Sequence, residues 1–98
     1  MLGATPVSQR IVRDRNRITG AGVTSGIDFA LYVVAELLGE AIARNIQLHM
    51  EYDPAPPFLC GSPESASEGE LKKARTQAAP FMEKRRQATI KAASRLRK

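Results

Sequence analysis

The sequence has few of the residues that most often anchor a core or build a site. Among its 98 residues there is no tryptophan, one cysteine, one histidine, two tyrosines and three phenylalanines. One cysteine excludes an internal disulfide framework and suits a reducing compartment. Cys60 and His49 cannot form a zinc site together, because such a site needs four ligands. We therefore expect no bound metal and a small core with few large anchors.

Long hydrophobic runs are also missing. No apolar segment reaches the roughly 18 residues that span a bilayer. The first residues, MLGATP, lack the basic and apolar regions of a signal peptide. A chain of 98 residues allows one small domain at most. The sequence thus predicts a soluble, cytoplasmic chain with no membrane partner.

Basic residues are concentrated at one end of the chain. Residues 1–70 carry five basic and nine acidic side chains, whereas residues 71–98 carry ten basic and one acidic. This asymmetry marks the last third as a distinct element. Lysines and arginines on a helix can neutralise nucleic-acid phosphates. Without stacking aromatics or a recognition motif, we interpret them as a solvated face and expect no nucleic-acid partner. They are Lys72, Lys73, Arg75, Lys84, Arg85, Arg86, Lys91, Arg95, Arg97 and Lys98.

The rest of the chain is organised around residues 17–31, RITGAGVTSGIDFAL. A short strand leads into a glycine-rich turn and a helix. We expect positive φ angles at three glycines of this turn, Gly20, Gly22 and Gly26. Ser25 is predicted to cap the helix through its hydroxyl, and Asp28 suits the positive end of the helix dipole. Because Ser25 stands where the dinucleotide-binding pattern needs its third glycine, the stretch is not that motif. It predicts the strand–turn–helix joint of an α/β fold, where ligands usually bind.

A β-hairpin is predicted before this joint. Residues 6–14 alternate loosely between apolar and polar side chains, and residues 17–19 return along them. Asp14 and Asn16 tolerate left-handed backbone, which makes the intervening segment prone to turn.

Two helical segments follow the joint, over residues 26–38 and 40–50, with a break or bend at Gly39. The first is apolar around most of its circumference, so it should be covered on most sides. In the second, Glu40 and Arg44 have the favourable i,i+4 spacing of an ion pair.

An irregular segment comes next, because the prolines of residues 53–58 impose extended backbone. Cys60 lies beyond them without an activating base, and we interpret it as an inert thiol. His49, at the end of the second helix, is interpreted as a partly buried packing residue, since nothing nearby pairs with it as catalysis requires.

The chain becomes helical again from Ser67. Pro80 lies within this pattern and predicts a kink or two separate helices. One apolar face is expected, formed by Leu71, Ala74, Ala78, Phe81, Met82, Ala92, Ala93 and Leu96.

These elements do not make a complete domain. The apolar first helix needs a sheet to cover it, but a single hairpin is all the sheet that the sequence predicts. We therefore expect either part of a larger domain or an obligate partner of another chain.

Several segments resemble the C-terminal half of ThiJ/PfpI family proteins. Residues 2–7, 17–31 and 35–41 carry the family resemblance. Residues 47–58 and 61–63, QLHMEYDPAPPF and GSP, are similar to its isonitrile hydratase branch. The resemblance covers essentially the whole chain.

The resemblance implies a partial flavodoxin-like α/β sandwich of the class I glutamine-amidotransferase type. Residues 1–63 would form the C-terminal part of a ThiJ/PfpI domain and residues 64–98 a basic helical tail. It further implies a homodimer in which the tail packs across or beside the partner. The complete enzyme would hydrate an isonitrile to an N-substituted formamide with a cysteine thiolate, without a metal or organic cofactor.

The family's nucleophilic cysteine and its acidic helper are expected upstream of this sequence. Cys60 lies in a different segment, so no catalytic residue is assigned, and the chain is expected to be inactive alone. Arg15 replaces a glycine common in the family's hairpin turn. The segment around Gly22, Val23 and Thr24 resembles one that approaches the pocket and subunit interface, which implies a structural role first and a pocket-lining role second.

Two other classes of protein stay open at this point. The chain could belong to the sensing domain of an AraC-type transcriptional regulator, although such a protein should continue into about a hundred residues of helix-turn-helix. It could also be a small basic interaction protein, whose nucleic-acid binding would depend steeply on salt.

Overall fold

A computed structural model describes residues 2–96, which form two compact units. Within the described residues there are two strands and three helices, in the order β1 (Ile11–Asp14), β2 (Arg17–Gly20), α1 (Ser25–Leu38), α2 (Glu40–His49) and α3 (Glu68–Leu96). Residues 6–54 make one unit, which holds both strands, α1 and α2. The other unit contains α3.

The two strands pair as the predicted antiparallel hairpin. Ile11 lies opposite Gly20 and Asp14 opposite Arg17, which leaves a two-residue loop. The predicted strand over residues 6–14 is too long, because β2 ends at Gly20 and offers residues 6–9 no continuing partner. The loop residue with positive φ is Arg15, at 56°, although its neighbours Asp14 and Asn16 tolerate left-handed backbone better.

Helices α1 and α2 pack against each other, and α1 also contacts both strands. Gly39 separates the helices as expected. Its φ of 97° and ψ of 154° lie in a region that is essentially open to glycine alone. Its amide donates to the carbonyl of Ala35 at 2.9 Å, while its own carbonyl accepts from Ala43 at 3.3 Å. The predicted pair between Glu40 and Arg44 is present at 3.4 Å on the exposed side of α2.

In the second unit, α3 begins with a reciprocal capping box. The Glu70 amide donates to the Ser67 hydroxyl at 3.2 Å, and the Ser67 amide donates to the Glu70 carboxylate at 3.1 Å. Hydrogen bonding to the Glu70 carboxylate, first from the Ser67 side chain and then from the Ser67 amide, holds the pKa of Glu70 below its ordinary value. One continuous helix passes through Pro80, so the predicted alternative of two separate helices is wrong.

The sequence predicts a basic, solvated face and an apolar face on α3, and the exposure of their side chains agrees with the first prediction better than with the second. Its described basic side chains are all exposed, whereas Arg97 and Lys98 lie outside the described residues. On the apolar face Ala93 is buried, but Phe81 and Met82 stay more than half exposed. Arg85 stacks over the Phe81 ring at 5.8 Å, a cation–π contact.

Candidate functional site

The joint between β2 and α1 is built around Ser25. This side chain is 2% exposed, and its hydroxyl donates to the carbonyl of Gly22 at 2.6 Å. The Ser25 amide donates to the same carbonyl at 2.9 Å. The expected role of Ser25 as helix cap is therefore wrong: the helix already includes Ser25, and its hydroxyl closes the turn instead of accepting from an orphan amide.

The glycines of the joint also act differently from the prediction. None of Gly20, Gly22 and Gly26 has a positive φ. A Cβ atom on Gly20 would lie 3.1 Å from the Ser25 hydroxyl oxygen and 3.4 Å from a ring carbon of Phe29, whereas Gly22 and Gly26 face open space. Gly20 thus allows β2 and α1 to approach closely, because a Cβ there would be in tight contact with Ser25 and Phe29.

Gly22, Val23 and Thr24 form the exposed crest of this joint. Val23 is 99% exposed, and its two neighbours are exposed as well. An apolar side chain so fully exposed at a strand–helix joint is available for contact with another element. The pocket-lining role of the three residues stays a prediction.

The main polar cluster of residues 6–54 is centred on the carboxylate of Asp28, in the first turn of α1. One oxygen accepts a hydrogen bond from Nε of Arg10, just before β1. The other accepts from the hydroxyl of Tyr52, beyond α2. Gln47 fixes the tyrosine from the other side, since its amide donates to the Tyr52 carbonyl at 3.1 Å. This Asp28 cluster joins three segments of the chain at one carboxylate.

Each member of the Asp28 cluster has a displaced pKa. Hydrogen bonds from Tyr52 and then Arg10 lower the pKa of Asp28. The same bonds raise the pKa of Tyr52 and of Arg10, in each case chiefly through Asp28. The carboxylate therefore stays ionised and the phenol neutral, a combination that fixes position and does not suit proton transfer near neutral pH.

An open groove runs beside this cluster, with a volume of about 530 Å³. Asp28 and Tyr52 lie at one part of its lining, and Arg44 and Gln47 of α2 at another. Charged and amide groups of this kind can bind polar molecules. Sequence reasoning missed Arg10 and Tyr52, because they are 18 and 24 residues from Asp28 and no spacing pattern connects them.

The two residues with the most reactive side chains are exposed. His49 was expected to be partly buried, but it is exposed at the end of α2, where its Nδ1 lies 2.8 Å from the carbonyl oxygen of Asn45. Cys60 is a free thiol on the surface. Residues 2–96 contain no cluster of His, Cys, Asp or Glu able to hold a metal ion, and no helix among them could cross a membrane.

Comparison with known proteins gives this arrangement a context. The chain is 50% identical over 95 residues to the isonitrile hydratase of Pseudomonas putida, a match that covers 97% of this chain and 42% of that protein. It also matches the crystal structure of a THiJ/PfpI family protein from Pseudomonas syringae at a TM-score of 0.80 and 50% identity, over 84% of this chain and 34% of that one. The chain corresponds to part of a ThiJ/PfpI family protein. No model of a protein family matches it.

These matches confirm the family resemblance and the partial flavodoxin-like fold with its hairpin and helices. They do not favour the transcriptional regulator or the small basic interaction protein. The chain spans less than half the length of the two relatives.

Proposed function

We propose that this chain is the C-terminal portion of an isonitrile hydratase of the ThiJ/PfpI family. The observation that carries the proposal is its 50% identity to the Pseudomonas putida enzyme over nearly the whole of this chain. In the complete protein, water would add to the isonitrile carbon to give an N-substituted formamide. A cysteine thiolate would act as the nucleophile, without a metal or organic cofactor.

This portion would contribute structure and part of the pocket wall. Cys60 lies in an irregular, exposed segment and is not proposed as the nucleophile. The exposed crest at Gly22, Val23 and Thr24 is proposed to line the substrate pocket, because it is the loop that follows a strand end in an open α/β fold. We further propose that the complete protein is cytoplasmic and forms a homodimer.

Activity measurements test this proposal directly. The purified chain is incubated with cyclohexyl isocyanide, and the formamide is quantified by chromatography. No product is expected from the chain alone. Product is expected when the chain is co-expressed with the remaining part of the Pseudomonas putida enzyme. Product from the chain alone, or none from a complex shown to be intact, would overturn the proposed function.

The pocket-lining role has its own test in the same complex. Val23→Asp places a charge on the crest, whereas Leu59→Asp makes the same change at another exposed aliphatic residue, 86% exposed and outside the helices. We expect Val23→Asp to lower kcat/KM at least tenfold and Leu59→Asp to leave it unchanged. Equal effects of the two substitutions would remove the crest from the pocket.

A further inference from the structure

Arg10 contacts the joint between β2 and α1 at both of its ends. The carbonyl of Arg10 accepts a hydrogen bond of 2.9 Å from the amide of Ala21, just before the crest. Its Nε donates to the carboxylate of Asp28, which lies beyond the crest in the first turn of α1. One residue therefore holds the chain on either side of the crest, and we call this pair of contacts the Arg10 clip.

Hydrogen bonds inside the clip shape the turn itself. The hydroxyl and the amide of Ser25 both donate to the carbonyl of Gly22, at 2.6 and 2.9 Å. The Gly26 amide donates to the carbonyl of Val23 at 3.3 Å. None of these three bonds reaches the hairpin. The clip supplies that connection, because it joins both ends of the crest to the residue that precedes β1.

A second ion pair between the hairpin and α1 provides an internal comparison. Arg13 of β1 donates to the carboxylate of Glu36, in the last turn of α1. The side chains of the two pairs have similar exposure: the arginines are 49% and 47% exposed, and the carboxylates 27% and 37%. Glu36 lies roughly 12 Å farther along the helix than Asp28, at a rise of about 1.5 Å per residue. An effect specific to the crest should therefore distinguish Arg10 from Arg13.

The position of the crest depends on such bonds because burial does not fix it. All three of its side chains are exposed, and Val23 almost completely so. A wall of a substrate pocket must nevertheless be placed accurately, since a displacement of about 1 Å can lower an enzyme's rate by a large factor. The Arg10 clip meets this requirement from outside the crest.

We propose that Arg10 is a positioning residue, which holds the crest in the place where it contacts the isonitrile. Arg10 acts through Ala21 and Asp28 and does not itself contact the substrate. This inference rests on the proposed function for the identity of the substrate and for the pocket-lining role of the crest. It goes beyond that function by assigning the position of the crest to one side chain outside it.

The kinetic test uses the full chain co-expressed with the remaining part of the Pseudomonas putida isonitrile hydratase. Arg10→Met keeps the aliphatic stem but removes the donor to Asp28. We expect it to raise KM about fivefold and to change kcat less than about twofold, because it weakens substrate binding without touching the reacting atoms. Arg10→Gln keeps an N–H donor at the place of Nε and should largely restore KM. Arg13→Met is the matched control and should leave both constants unchanged.

The separation of KM from kcat distinguishes positioning from a folding defect. Loss of folded complex would lower the apparent kcat and leave KM unchanged, because fewer sites with unaltered binding would remain. A double-mutant cycle then tests the route through Asp28. If Arg10 acts through this carboxylate, Arg10→Met should raise KM no further in an Asp28→Ala background. Independent effects of the two substitutions, or an unchanged KM in Arg10→Met alone, would overturn the proposal.

Hydrogen exchange measured by NMR on the full chain tests the clip without any catalysis. The amides of Ser25 and Gly26, which close the turn, should exchange about threefold faster in Arg10→Met, as expected for loss of a half-exposed ion pair. Arg13→Met should leave them unchanged, and equal effects of the two substitutions would overturn the clip. A complex that hydrates no isonitrile would overturn the proposed function alone, and exchange would then decide whether Arg10 positions the crest.

Discussion

The hairpin loop contains a residue in an unfavourable backbone conformation, and replacing it should stabilise the hairpin. Arg15 has a φ of 56°. For an L-residue other than glycine, left-handed backbone costs roughly 1–2 kcal/mol, because Cβ approaches the following carbonyl. Two-residue hairpin loops favour glycine at such positions. Arg15→Gly should remove that cost.

The contacts of the Arg15 side chain offset little of this gain. Its ion pair with Asp14 is 3.6 Å long, and both side chains are largely exposed, so its contribution is close to zero. The bond from Arg13 to the Arg15 carbonyl, at 3.1 Å, uses backbone that glycine keeps. Glycine loses about 0.5–1 kcal/mol in added freedom of the unfolded chain. A net stabilisation of about 0.5–1 kcal/mol remains.

Hydrogen exchange measured by NMR reads this local effect without requiring cooperative unfolding of the whole chain. Amides of the paired segments Ile11–Asp14 and Arg17–Gly20 should exchange about two- to fivefold more slowly in Arg15→Gly, since 1.4 kcal/mol corresponds to a factor of ten. Arg15→Ala removes the same side chain but keeps Cβ, and should leave exchange nearly unchanged. Faster exchange in Arg15→Gly, or equal slowing in both variants, would refute backbone strain at this residue.

Four further predictions concern the Asp28 cluster, the cap of α3 and the glycine joint. Because the pKa of Asp28 is lowered, its contribution is complete above the pKa of an unfolded Asp, about 3.9, and is lost as pH falls through the lower folded value. NMR should show that the hairpin detaches from α1 as the pH falls through that range. The same acid transition in an Asp28→Asn variant would contradict this reasoning. The raised pKa of Tyr52 gives the opposite sign, with stability lost as pH rises above about 10, and Tyr52→Phe should remove that alkaline transition. Ser67→Ala should cost about 1 kcal/mol at the start of α3 and increase amide exchange in its first turn about fivefold, and unchanged exchange would exclude the capping box. Gly20→Ala should destabilise the joint by about 1 kcal/mol through contact with the helix, whereas Gly22→Ala should be neutral or slightly stabilising; equal chemical denaturation of the two variants would contradict this difference.

The helices were predicted well because their signals are local. Periodicity gave the first helix over residues 26–38, and the structure has it at Ser25–Leu38. The break at Gly39 could be predicted because glycine is the residue that adopts a φ of 97° without steric cost. The hairpin was also predicted, but the length of β1 was not. That length depends on how far β2 continues, and the alternation of residues 6–14 contains no information about β2.

The strand–turn–helix joint was predicted, but the roles of its individual residues were not. Glycines can be needed for positive φ or for close approach, and the sequence alone does not distinguish the two. Gly20 serves the second purpose, since a Cβ there would lie 3.1 Å from the hydroxyl oxygen of Ser25. The partners of Asp28 were missed for a related reason: Arg10 and Tyr52 come close to it only after the hairpin and α2 have folded back onto α1.

The unit of residues 6–54 depends on polar contacts to an unusual degree. Ala43, at 6% exposed, is its one buried hydrophobic residue among those described. The hairpin is held to α1 largely by hydrogen bonds of half-exposed arginines to Asp28 and Glu36, and exposed ion pairs each contribute little. These bonds orient the elements without supplying the stability that a buried aliphatic layer provides. Partly exposed aliphatic side chains such as Ile27 of α1 and Ile46 of α2 are the groups whose burial would add that stability.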